Sequence, residues 1–181
     1  MINAGELVLK RWEPEWAEEA ERAVRESLAE LKPFMPWATD AYTVDDARAF
    51  LTDSHDNWDK GEAFNYAIFT ADGDLIGSIG LMTRMGPGVL EIGYWLRTAY
   101  TGRGFMTAAV RALARVALTL PGVERVAIRH DVANGASGAV AAKAGFAEVE
   151  RVPSEVTAPG ESGVDAIREL RANDNGSRNV T

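Results

Sequence analysis

The segment Tyr100-Thr-Gly-Arg-Gly-Phe-Met-Thr107 sets two glycines, Gly102 and Gly104, between a strand-like run and a helix-like run. Such a junction suits an anion. A helix N-terminus offers unpaired backbone N–H groups and a partial positive charge. Glycine lets the backbone approach a phosphate closely. Thr107, in the first helical turn, offers a further hydroxyl donor. Three readings are open. A kinase-type phosphate loop requires Lys-Ser/Thr after its last glycine, and Phe105-Met106 stand there instead. A dinucleotide fold requires a third glycine where Thr107 stands; Glu124 lies at the spacing of its ribose-binding acid but begins a strand instead of ending one. The third reading is a turn with a helix cap and no ligand.

Composition limits the chemistry around that loop. The 181 residues, 46% of them hydrophobic, suffice for one domain with a buried core. The absence of cysteine excludes a disulfide framework, an iron–sulfur cluster, a thiolate zinc site and a cysteine nucleophile. With only His55 and His130 as histidines, no metal is expected. The net charge is −8, and basic residues are scattered singly among acids, so no nucleic-acid partner is expected. No apolar run approaches the ~18 residues of a membrane span and no signal-peptide pattern opens the chain. No membrane partner and a cytoplasmic location are therefore expected.

The elements that must position the loop are legible from periodicity. Strands are predicted over 6–12, 65–70, 75–83, 89–96, 124–132, 146–156 and 164–170. Helices are predicted from Pro14 to about Leu31, from Val44 to about Trp58, from Phe105 to Leu120 and from Ser137 to Ala144. Thr43, followed by Asp45 and Asp46, reads as an N-cap with acids in the first turn. Met106, Ala109, Val110, Leu113, Val116, Ala117 and Leu120 keep helical spacing. Pro33, Phe34, Met35, Pro36 and Trp37 make an aromatic loop. The order implies a single-domain α/β protein, residues 1–171, with a mixed sheet and helices packed on it. Strands 89–96 and 124–132 flank a helix and should run parallel. Residues 172–181 read as a polar, disordered tail, and its two sequons as chance.

Two linked stretches carry a family resemblance. Glu91-Ile-Gly-Tyr-Trp-Leu96 with Gly102-Arg-Gly-Phe-Met-Thr107 resembles the acyl-CoA-binding motif of the GNAT superfamily of N-acyltransferases. Asn134-Gly-Ala-Ser137, with Val140, Lys143 and Gly145-Phe146, resembles its second signature. Leu7 to Trp12 and Phe34 to Trp37 complete a likeness to the RimJ/RimL-type branch, over roughly Glu6 to Leu170. Ala99 and Thr101 depart from the pattern, which often has Gln or Arg at the first position and Arg at the second.

The resemblance implies a mostly antiparallel sheet splayed at an acyl-CoA site, and an acetyl-CoA-dependent N-acetyltransferase in which a primary amine attacks the thioester directly. Its alternative is a CoA-binding sensor or degenerate acyltransferase without turnover. The pyrophosphate would lie on Gly102, Arg103, Gly104, Phe105, Met106 and Thr107. The pantetheine arm would lie along Tyr94, Trp95 and Leu96, with Asn134 bonding its amides and Lys143 nearby. Glu91 would be the base, directly or through a water; as a plain strand residue it would be solvated or ion-paired. By alternation Glu91 shares a face with Gly93 and Trp95 unless a bulge intervenes. Ser137 would serve the departing thiolate, or else cap the following helix. Asn134 reads equally as a loop turn. Partners of the branch are small-molecule amines or protein N-termini, and its members are monomers or homodimers. His130 reads mainly as a packed residue and His55 as part of a solvated face. Phe34, Trp37 and Trp58 read as core or as walls of an acceptor site.

Overall fold

The computed structural model describes residues 1–172. Its elements are β1 (Ile2–Ala4), β2 (Leu7–Arg11), a 3-10 turn (Pro14–Trp16), α1 (Ala17–Arg25), α2 (Leu28–Leu31), α3 (Val44–Lys60), β3 (Ala63–Thr70), β4 (Leu75–Met82), β5 (Val89–Leu96), a second 3-10 turn (Thr98–Tyr100), α4 (Phe105–Ala117), β6 (Arg125–Asp131), α5 (Gly135–Ala144), β7 (Ala147–Pro153) and β8 (Val164–Arg171). The strands form one sheet ordered β1-β2-β3-β4-β5-β6-β8-β7. Every neighbouring pair is antiparallel except β5–β6. The mixed, mostly antiparallel α/β sheet is thus present.

The parallel pair opens the site. β5 and β6 are in register only at Val89↔Arg125, Leu90↔Val126 and Glu91↔Ala127. Beyond that point β5 stays with β4 as far as Leu96, and β6 stays with β8 as far as Asp131. Two strands that follow different neighbours part, and a cleft opens between them. The edge of β5 from Ile92 to Leu96 is left without a strand partner on that side.

Strand alternation sorts the core onto two faces. On one, Ile79, Leu81, Leu90 and Ile92 pack against Met106, Val110 and Leu113 of α4. On the other, Ala67, Phe69, Leu75 and Trp95 pack against Val24 of α1 and Leu51 of α3. Each fully buried Leu or Ile contributes roughly 1.5–3 kcal/mol of transfer free energy.

The departures from the predicted elements have local causes. The single helix expected from Pro14 to Leu31 breaks at Ser27, which is fully buried and whose Oγ accepts from the Thr98 N–H at 3.0 Å. That bond ties the break to the segment leaving β5, a tertiary contact with no local signal. α4 ends at Ala117 and not Leu120, so Val116 and Leu120, placed on its apolar stripe, are exposed. β7 stops at Pro153, which has no N–H to continue a ladder. Thr43 does cap α3: its N–H donates to the Asp46 carboxylate at 2.7 Å. The loop 154–163 then crosses to the aromatic loop, where the Gly160 N–H donates to the Pro33 carbonyl at 2.7 Å. A Cβ at Gly160 would lie 2.7 Å from Pro33, so only glycine fits that clasp. Of the predicted tail, all but Ala172 lies outside the described residues. No described helix is long and apolar enough to cross a membrane.

Candidate active site

The glycine loop is a backbone structure. Gly102 and Gly104 have φ of +74° and +77°, a region that costs a residue with a Cβ roughly 1–2 kcal/mol. A Cβ at either position would meet nothing within 4 Å. The glycines therefore answer the bend of the chain and leave open space beside it. The Gly104 carbonyl accepts from the Ala108 N–H at 3.0 Å, the first bond of α4. The N–H groups of Phe105, Met106 and Thr107 precede that bond and have no intrahelical acceptor. The side chains of Met106 and Thr107 are buried. The Arg103 guanidinium lies 5.4 Å from the Tyr100 ring centre and 6.0 Å from that of Phe105. Ala99 is exposed, and the Thr101 hydroxyl donates to the Thr98 carbonyl at 2.8 Å.

Across the cleft, α5 meets β5. The Tyr94 hydroxyl donates to the Ser137 carbonyl at 3.0 Å and lies 2.9 Å from Ser137 Oγ. Burial pushes the Tyr94 phenol up to about 12, against smaller opposing pulls from Ser137 and the Arg168 charge. The phenol is therefore a proton donor at every ordinary pH. α5 starts earlier than predicted, at Gly135, and its cap is Asn134: Asn134 Oδ1 accepts from the Ser137 N–H at 3.1 Å. Ser137 is thus not the cap, and its hydroxyl is free to pair with Tyr94. The Asn134 NH2 has no partner among the described residues. Lys143 sits exposed in the last turn of α5, ~13 Å along the axis from Asn134.

Below α5 lies His130, buried. Arg168 Nε donates to Nε2 at 3.1 Å, which leaves Nδ1–H to donate to the Asp131 carbonyl at 2.9 Å. A Cβ on Gly138 would lie 3.0 Å from the His130 ring, so the ring carries α5 directly. Asp131 is a hub missed in the sequence. Its carboxylate accepts from the N–H of Ala133 (2.8 Å), the N–H and hydroxyl of Ser162 (2.8 and 2.9 Å) and the N–H of Gly163 (3.2 Å). Burial pushes its pKa up, but these bonds together outweigh it and hold the carboxyl below the usual range.

Glu91 is buried, 2% exposed, on the face opposite α4. The β4–β5 register is unbroken, so Glu91, Gly93 and Trp95 do share a face. The surprise is Arg84, which donates from Nε and Nη2 to the two Glu91 oxygens, each at 2.7 Å. The hairpin register, with Met82 opposite Glu91, is the only sequence-level hint of that pair. Arg84 itself is mostly exposed, at 65% of its side chain.

The same face bears a cavity of about 700 Å³ walled by Trp12, Trp37, Phe50 and Trp95, with Asp53 and Asn65 among its polar groups. Trp37 packs tilted on Trp95 with ring centres 6.2 Å apart, while Phe34 and Trp58 do not line it. Trp58 instead packs on Phe64 and Tyr66. His55 is a tether, not a solvated residue: Nε2 lies 2.7 Å from the Trp12 carbonyl and Nδ1 3.3 Å from Arg11 Nη2. Among the described residues no group of three or more His, Asp or Glu could hold a metal.

A cleft between diverging strands thus lies between a helix-terminal glycine loop on one side and an aromatic cavity on the other. The sequence profile described as "Acetyltransferase (GNAT) domain" matches residues 6–147; the chain belongs to that family. A probable N-acetyltransferase of Bacillus subtilis (strain 168), YjcK, is 36% identical over 113 residues. That match covers 60% of this chain and 62% of YjcK, less than two thirds of its length. Microcin C7 self immunity acetyltransferase MccE, solved with acetyl-CoA and AMP, superposes with a TM-score of 0.85 at 21% identity, covering 92% of this chain and 93% of that one. Mycobacterium smegmatis RimJ, solved with a CoA disulfide, gives 0.83 at 20% identity, covering 96% and 85%. At these identities the likeness is one of fold, and it includes the RimJ/RimL-type branch that the motifs resemble.

Proposed function

We propose that the protein is an acetyl-CoA-dependent N-acetyltransferase acting on a primary amine. The parting of β5 and β6 beside the left-handed glycine loop supports this reading most directly. Acetyl-CoA, when bound, supplies the acyl group as an activated thioester. The N–H groups of Phe105 to Thr107 hold its pyrophosphate, with Gly102 and Gly104 giving the approach and Arg103 the counter-charge. The unpaired edge of β5 at Tyr94, Trp95 and Leu96 bonds the pantetheine arm as a strand would. The Asn134 NH2 donates to one of its amides, and Lys143 lies further along the groove.

The amine must lose a proton before it attacks. At neutral pH that costs an α-amine of pKa ~8 about 1 kcal/mol and a lysine of pKa ~10.4 roughly 4–5. Glu91 takes the proton through a water, since both of its oxygens are held by Arg84. As the new C–N bond forms and the C–S bond breaks, the Ser137–Tyr94 pair gives the leaving sulfur a proton, and the second proton lost by the nitrogen replaces it on the pair. Neither group needs to ionise beforehand, and the raised Tyr94 phenol keeps its proton until then.

The test is calorimetric titration with acetyl-CoA, followed by thiol release on addition of amines. The cysteine-free chain adds no thiol background. Saturable binding with amine-dependent release is expected. Binding without release for any primary amine would instead make the protein a CoA-binding sensor. No binding at millimolar acetyl-CoA would remove the reading.

A further inference from the structure

The sheet floor under the cavity is a grid of three rows running across β5, β4 and β3. They are Glu91, Met82, Ala63; Gly93, Gly80, Asn65; and Trp95, Ser78, Ala67. The middle row lacks side chains at two of its three positions. A Cβ at Gly80 would lie 2.1 Å from Asn65 Oδ1, so the Asn65 amide rests on Gly80. Asn65 Nδ2 donates to Ser54 Oγ of α3 at 3.2 Å. That bond turns the amide so that its oxygen, an acceptor, lies over the row leading to Gly93 and β5. A Cβ at Gly93 would lie 3.0 Å from the Met82 methyl, so the end of the row beside β5 is narrow.

The rest of the cavity is consistent with one kind of guest. Among the described residues that line it there is no lysine, arginine or histidine. Its charged residues are Asp46 and Asp53, on one face of α3. Asp46 is spent on the cap at Thr43, whereas Asp53 makes no hydrogen bond or ion pair with a described residue. Aromatic walls present negative ring faces that attract cations. Phosphate and carboxylate recognition normally uses arginine or lysine donors, and none is offered.

We infer that the acceptor is a small organic cation: an aminomethyl group on an aromatic or aliphatic body, without a carboxylate or phosphate. This rests on the N-acetyltransferase reading and narrows it. Asn65 Oδ1 receives the amine N–H groups over the glycine row, the aromatic walls cover the body, and Asp53 supplies the counter-charge. An α-carboxylate would meet carboxylates and ring faces, and a branched α-carbon would meet Met82.

The test uses matched pairs that differ by one carboxylate, tryptamine against tryptophan and phenethylamine against phenylalanine. Each is titrated calorimetrically into the protein after saturation with CoA. The amines should bind at least about tenfold tighter than the amino acids, since placing like charges together is strongly disfavoured. Asp53→Asn should shrink that ratio at least about threefold, and Gly80→Ala should weaken amine binding without moving the CoA affinity, by displacing Asn65. Equal affinities, a preference for the amino acids, or no binding of either amine would overturn the inference and leave the acetyltransferase reading standing. Failure of CoA itself to bind would strike that reading instead. The cation preference would then be judged by the same titrations without CoA.

Discussion

The glycine-loop side of the cleft and its aromatic cavity are made of different material. The first is backbone: two glycines with positive φ, the opening turn of α4 and an unpaired strand edge. The second is side chains drawn from α1, α3, β3, β4, β5, Trp12 and the aromatic loop. A backbone cradle tolerates substitution around it, which is how the loop keeps its shape with Ala99 and Thr101 in place of the usual polar residues. A side-chain cavity tolerates little, because each wall is a particular ring or carboxylate. On the proposed reading, the cosubstrate would be met by groups that every residue carries, and the acceptor by particular side chains.

That contrast can be broken or sharpened by substitution. The largest effect is expected at Glu91, which sits where the two sides meet. Glu91→Gln should lower kcat by about 10²–10³-fold, with the acetyl-CoA Kd within about threefold; calorimetry beside steady-state kinetics separates the two, and an unchanged kcat would remove the base. Next comes Gly104→Val, which should raise the acetyl-CoA Kd by about 30-fold or more, since a β-branched residue does not hold φ near +77°. Gly104→Asn, which tolerates that region, should recover part of the loss, and equal damage by both would mean that space and not conformation matters. Smaller still, Ser137→Ala or Tyr94→Phe should each cost about tenfold in kcat, and the double variant little more than either. Additive losses would separate the two hydroxyls.

The smallest effect concerns stability and not chemistry. Asp131→Asn should lower the Tm by about 4 °C at pH 7, because three backbone N–H donors and the Ser162 hydroxyl lose a charged acceptor. The sign with pH follows from the depressed pKa of Asp131. Its contribution is full above the unfolded carboxylate value of ~3.9 and fades as pH falls toward the lower folded value. The difference between wild type and variant, followed by thermal melts, should therefore close in acid. A constant difference would mean that the carboxylate charge is not what holds the loop.

Much of the fold and the backbone geometry of the glycine loop were legible in the sequence, and the division follows the same line. Strand 89–96, the glycines and the helix after them are contiguous, so period and residue type declared them. The parallel pairing with the next strand followed from the intervening helix. The parity of Glu91, Gly93 and Trp95 was readable because no bulge intervenes. His130 with Arg168 and Asp131 with Ser162 were not readable, because each pair meets only through strand order or a loop crossing; Arg84 meets Glu91 across a local hairpin, but its side-chain direction was not readable. Ser137 was not legible in its local role, since the helix begins two residues before it and the cap is Asn134. The break at Ser27 shows the same limit: a buried hydroxyl serving Thr98, far along the chain, overrides a helical pattern that continues on both sides.

The clasp between Gly160 and Pro33 has a consequence in time. Pro33 is made early and Gly160 late, and contacts between distant parts of a chain form slowly because a large loop must close first. The residues of the cradle, from Val89 to Ala117, are all synthesised before the one that latches the aromatic loop. The latch on the aromatic loop therefore cannot close until nearly all of the described chain has been made.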